Sequence, residues 1–322
     1  MSYRIDPAQP LDHEIRRIAG KQIEAALDEL TGEASDRHEA IHEARKRFKK
    51  LRGLLRLART ADKRFFRRAN RQLREAAGQL SGTRDRAALI ESLDALSAHH
   101  RSEVDAAVFA PVREVLVARR DAAVAAETDL AVTLDAVTGE LRDVRTRLDG
   151  FVLPDGPKSS GAIAARGFAL NLARGRSDLA TARKSERAEA YHDLRKRAKY
   201  NWMHLKLLEP LWPEVFTATA RQADRLGDAL GLDHDYAVLR GEIALEPGAF
   251  GPERELSIVL ALIDRRQGEL RREALELAGR LFLDKEAVAE RRICKLWRAA
   301  VERANAPDYG TPAEEARALD PA

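Results

Sequence analysis

His42-Glu43-Ala44-Arg45-Lys46-Arg47-Phe48-Lys49-Lys50-Leu51-Arg52-Gly53-Leu54-Leu55-Arg56-Leu57 carries two patterns at once. Steps of three and four from His42 give Arg45, Lys49, Arg52, Arg56 and Arg59 on one helical face, every member basic or able to become so. One position back, Ile41, Ala44, Phe48, Leu51, Leu55 and Ala58 form an apolar seam about 100° round the helix. The spacing predicts a helix with one stripe against a core and its neighbour turned to something anionic.

The motif returns. His42-x-x-Arg45-Lys46-Arg47-x-Lys49 recurs as His192-x-x-Arg195-Lys196-Arg197-x-Lys199, an offset of 150 residues. The same offset aligns Arg71-Gln72 with Arg221-Gln222 and Asp85 with Asp235, so one register covers both matches, as in a duplicated helical unit. In the second copy the basic stripe is His192, Arg195, Lys199 and Lys206, interrupted by Trp202. Its seam is Tyr191, Leu194, Ala198, Leu205 and Leu208.

Outward from these copies the chain reads as helix almost throughout. Ala, Leu, Arg and Glu dominate, aromatics are 5%, and no segment alternates β-branched residues as a strand would. The 322 residues suffice to bury one large core or two ordinary ones. Pro, Gly and Ser collect between residues 153 and 161, and further proline breaks fall at Pro210, Pro213, Pro247, Pro252 and Pro307. The expected organisation is a first helical half over 10–150, a linker over 151–160, a second half over 161–305 and a loose tail over 306–322. Cys294 is the one cysteine, so no internal disulfide can form and a reducing compartment is expected. No stretch approaches the roughly 20 apolar residues of a membrane span, and the N-terminus lacks an apolar signal core; the expected location is the cytoplasm, with no membrane partner.

Net charge is only +4, but between Arg37 and Arg74 there are fifteen Lys and Arg against Glu39, Glu43 and Asp62. Like charges at i and i+4 each cost a few tenths of a kcal/mol, so such a stripe opposes its own helix unless counter-charge arrives from outside. An isolated basic run is ordinarily a solvated face. Repetition beside an apolar seam points instead to a phosphate-rich polyanion. A third basic cluster, Arg291, Arg292, Lys295 and Arg298, lies on the last expected helix, and Arg174-Gly175-Arg176 ends the first helix of the second half.

The duplicated His-x-x-Arg-Lys-Arg-x-Lys, with Leu226-Gly227-Asp228-Ala229-Leu230-Gly231-Leu232-Asp233-His234-Asp235-Tyr236, resembles the CHAD family, the conserved histidine α-helical domain. The resemblance implies an all-α fold of two pseudo-repeated antiparallel helical bundles with a basic groove or pore between them. It implies binding of inorganic polyphosphate there and association with polyphosphate granules, with no cofactor. The expected contacts are His42, Arg45, Lys46, Lys49, Arg52, Arg56, Arg174, Arg176, His192, Arg195, Lys196, Lys199, Lys206, Arg291, Arg292, Lys295 and Arg298. The first half has Thr83-Arg84-Asp85 where the second has Asp233-His234-Asp235, so the halves need not contribute equally. The catalytic domain of some relatives begins Glu-x-Glu-x-Lys, a motif this chain lacks.

Two motifs suggest other chemistry. His38-Glu39-Ala40-Ile41-His42 satisfies the zinc pattern His-Glu-x-x-His, but Arg45 replaces the Gly of its extended form and no Glu lies between Glu43 and Glu75. No metal site is expected. His234-Asp235 lacks the additional ligands of a phosphohydrolase, and Asp85 and Asp235 read as helix starts or ion-pair partners. The expectation is a binder rather than an enzyme, with His42 and His192 either packing or donating to the ligand and gaining charge below about pH 6.5. The alternatives are sequence-independent nucleic-acid binding, which few aromatics would support on single strands, and a granule-associated structural or adaptor protein that docks acidic partners.

Overall fold

The computed structural model describes residues 3–33, 36–80, 82–125, 129–154 and 156–306, and of residues 82–85 the backbone alone. Among the described residues there are eleven α-helices and no strand. They are α1 (Leu11–Thr31), α2 (Arg37–Leu57), α3 (Lys63–Gln79), α4 (Gly82–His99), α5 (Ala110–Ala125), α6 (Leu130–Asp149), α7 (Pro157–Ala182), α8 (Ala188–Leu207), α9 (Pro213–Leu245), α10 (Glu253–Leu281) and α11 (Glu286–Asn305).

Both seams are inside. Ile41, Ala44, Phe48, Leu51, Leu55 and Ala58 are all 6% exposed or less, as are Tyr191, Leu194, Ala198, Leu205 and Leu208. α2 starts because Asp36 accepts from the backbone N–H of His38 at 2.9 Å and of Glu39 at 3.1 Å, two donors the helix cannot use itself. α1 borrows its cap across the fold: Leu11 N donates to Ser160 Oγ of α7 at 3.3 Å. Pro157, Lys158, Ser159 and Ser160, which read as linker, stand in the first turn of α7, where proline's missing N–H costs nothing. The tail from residue 307 lies outside the described residues.

α1 packs against α2 and α6, and α7 against α8 and α11, while α9 packs against α8 and α10. The larger apolar cluster joins α1, α2, α3, α6, α7, α8 and α11 with the first part of α9 and the last part of α10. A smaller one, around Tyr236, Phe250 and Val259, joins α4 and α5 to the rest of α9 and to α10. Each cluster draws side chains from both sides of the 151–160 segment.

The joint that positions the site is the crossing of α2 with α7 and α8. A Cβ on Gly167 of α7 would overlap the carbonyl oxygen of Leu57, so α7 passes the end of α2 backbone to backbone. On the other side the fully buried His204 of α8 donates from Nε2 to the Gly53 carbonyl at 3.2 Å. Burial, and then the nearby Arg56 charge, push the His204 pKa down to about 3, against the pull of the Gly53 bond. Because the folded value lies below the unfolded one, His204 destabilises the fold progressively as pH falls from about 6.5 toward 3. Between pH 7 and pH 5 this group alone is expected to remove roughly 2 kcal/mol of unfolding free energy. Urea titrations of the parent and of His204→Gln at both pH values check it: the variant should lose that part of the acid sensitivity.

Candidate functional site

The basic stripe of α2 does not face one environment. Lys46 and Lys49 are exposed, His42, Arg45 and Arg52 half-buried, and Arg56 buried, because α3, α7 and α8 close over the C-terminal part of the helix. Arg45 donates to the Leu80 carbonyl at 3.1 Å and Arg52 to Asn70 Oδ1 at 3.1 Å. Lys46 is paired with Glu43. α2 ends at Leu57, so Arg59, read above as the last member of a helical stripe, sits beyond it in the turn to α3.

That end of α2 holds a cluster of arginines. The Arg56 guanidinium lies 4.0 Å from the ring centre of Tyr200 on α8 and 5.3 Å from that of Phe66 on α3. Arg59 stands 5.7 Å from Phe66. Such cation–π contacts solvate a guanidinium but do not neutralise it. Burial and then the charges of Arg174, Arg56 and Arg197 pull the Arg59 pKa down to about 10. Burial and then Arg197 act the same way on Arg174, with Asp178 opposing them. Arg56 is lowered too, first by burial, while Tyr200 offsets part of it and Arg197 and Arg52 add to it. Arg197 donates to Asp178 at 2.8 Å. Among the described residues that is the ion pair the five arginines make. Arg197 belongs to the duplicated motif but lies off the His192 stripe, and the sequence reading passed over it; the signal was its place beside Arg195 and Lys196.

The second stripe is neutralised from within. Lys196 pairs with Asp193 at 2.5 Å, Lys206 with Glu209 at 2.7 Å, and Lys199 with Asp228 at 2.9 Å and Asp224 at 3.4 Å. Gly227 and Gly231 bring α9 against this stripe: a Cβ on the first would stand 2.7 Å from Lys199 Cε, and on the second 3.2 Å from Arg195 Nη2. The His192 ring lies 4.5 Å from that of His234. Burial, with Lys196 and Arg195, holds the His192 pKa below the ordinary histidine value, so it gains charge only at lower pH than a free histidine. Asp235 is no helix start: it lies well inside α9, beside Arg195 and Lys199. The side chains of Thr83, Arg84 and Asp85 lie outside the described residues.

The remaining expected contacts are elsewhere. Arg176 is exposed and about 200° round α7 from Arg174. Arg291, Arg292, Lys295 and Arg298 are exposed on α11, which packs chiefly against α7, and Arg292 pairs with Asp284 at 3.1 Å. Among the described residues no group of three or more His, Cys, Asp or Glu could hold a metal ion, and no helix is long and apolar enough to cross a membrane. Cys294 is half-buried, with its thiol pKa raised by burial.

No curated protein matches the chain. A family model described as the CHAD domain matches residues 17–244, a span that includes both basic motifs, the α2 end with its arginines and the Gly227–Gly231 segment, and the chain belongs to the CHAD-domain family.

Proposed function

We propose that this chain binds inorganic polyphosphate, without catalysis, and that the arginines at the end of α2 are the centre of the site. The observation that carries this reading is the convergence of Arg52, Arg56, Arg59, Arg174 and Arg197 around a single paired acid, Asp178. Partly desolvated guanidinium groups held together repel one another, and a chain of phosphates relieves that repulsion. Each fork accepts a phosphate bidentately, a charge-assisted bond of about 1.5–3 kcal/mol. Lys49 and Arg45 on α2 extend the contact toward its exposed end, and His42 and His192 serve as hydrogen-bond donors.

The two-bundle reading of the fold is supported by the repeated packing in which α2 and α8 each lie on their preceding helix, α1 and α7. In this reading both halves face one polymer, with the first contributing most because Arg56 and Arg59, at the centre of the cluster, stand at the end of its α2. Binding places the protein at cytoplasmic polyphosphate granules.

Titrating the purified protein with long-chain polyphosphate at rising salt tests the reading, with duplex DNA as competitor. Five phosphate contacts on a flexible polyanion predict a log–log slope of at least about 3.5 in magnitude, or at least about a 100-fold loss between 50 and 200 mM salt. A flat affinity would remove the charge-pairing mechanism, and DNA that displaced polyphosphate at equal phosphate concentration would make nucleic acid the ligand.

A further inference from the structure

A second row of cations begins where the arginine cluster ends. Lys63, Arg64, Arg67, Arg68 and Arg71 are exposed along about 12 Å of α3. Among the described residues none of them forms an ion pair. Lys63 with Arg67, Arg64 with Arg68, and Arg67 with Arg71 are like-charge pairs at i and i+4, each unfavourable to the helix. Three acids on or beside α3 are hydrogen-bonded elsewhere: Asp62 caps α3 through the Phe65 N–H at 2.8 Å, and Glu140 and Asp143 on α6 accept from Gln72 at 2.7 and 3.0 Å. Asp143 also holds Arg147.

The row is continuous with the inner cluster. Arg59, Lys63, Phe66 and Arg67 line one hollow, and Lys63 and Arg67 line the next with Arg64, Arg68 and Arg71. Across the first hollow Arg166 is held by Glu286 at 3.2 Å and Glu290 at 2.8 Å, so free positive charge leads along α3 and not toward α11.

The geometry points to α3 as an outer track for the same polymer: a polyphosphate chain seated at Arg56 and Arg59 leaves through Lys63 and Arg67 and lies along Arg64, Arg68 and Arg71. This rests on the polyphosphate reading above. A short oligophosphate fills the inner cluster alone, whereas a long chain occupies both, with the track engaged at the high effective concentration of a tethered site.

The test compares long-chain polyphosphate with tripolyphosphate on the full chain, using R64Q/R67Q/R68Q/R71Q and the milder R67Q/R71Q. All these positions are exposed and glutamine is a good helix former, so circular dichroism should stay helical. For the fourfold variant the long-chain salt slope should fall by about 3 and affinity by at least ~10-fold, with tripolyphosphate affinity unchanged within about twofold. The double variant should lose about half the slope change. Parental long-chain affinity and slope in both variants would overturn the track while leaving the inner site standing, as would an equal loss of tripolyphosphate. A parent protein that binds neither ligand overturns the polyphosphate reading, and the track with it.

Discussion

Arg59→Glu combined with Arg174→Glu is expected to weaken long-chain polyphosphate binding by at least ~100-fold, because two charge-assisted contacts of about 1.5–3 kcal/mol each are lost and reversed in sign. Stability separates this from a structural role. Arg59 is disfavoured in its charged form first by burial and then by Arg174, Arg56 and Arg197. The neutral variant Arg59→Gln should therefore raise the melting temperature while binding falls, whereas a residue kept for packing would lose both. Lys199→Gln supplies the contrast. Lys199 already neutralises Asp224 and Asp228, so its removal should change binding much less than loss of Arg59. Isothermal titration and thermal unfolding of the three variants decide the matter. A melting temperature that drops for Arg59→Gln would mean that the cluster is structural.

Gly167→Ala is expected to cost about 3 kcal/mol, at the upper end for overpacking, because its Cβ meets the Leu57 backbone and not a side chain that can turn away. The helices can only separate, and their separation moves Arg174 on α7 away from Arg56 on α2, so polyphosphate affinity should fall with stability. The same substitution at Gly268 of α10, where a Cβ would meet nothing within 4 Å, should stabilise by about 0.5–1 kcal/mol. Urea unfolding of both variants gives the two signs directly. If Gly167→Ala unfolds like the parent, the backbone contact does not fix the site.

A good deal of this molecule is legible without coordinates, and for a definite reason. An α-helix repeats every 3.6 residues, so the residues that share a face are settled by spacing alone. Ile41, Ala44, Phe48 and Leu51 had to be buried together, with Arg45, Lys49, Arg52 and Arg56 along the next face. The 150-residue offset between His42 and His192, and the proline breaks before α7, α9 and α10, are equally local.

Whether a cation meets a carboxylate is another kind of fact, decided by distance between chains and not by periodicity. Lys199 meets Asp224 and Asp228 on a helix that Gly227 allows to come close, a pairing that its place in the motif does not foretell. Arg56 and Arg176 look alike as basic residues on helices. Only packing buries the first between Phe66 and Tyr200 and leaves the second in water. Arg197 and Arg59 join the cluster because α7 and α8 cross the end of α2 at Gly167 and Gly53, contacts between residues more than a hundred positions apart. The sequence alone determined helices, seams and the local excess of charge. The tertiary structure decided which charges remain uncompensated, because Coulomb energy follows separation in space, which spacing along one helix does not specify.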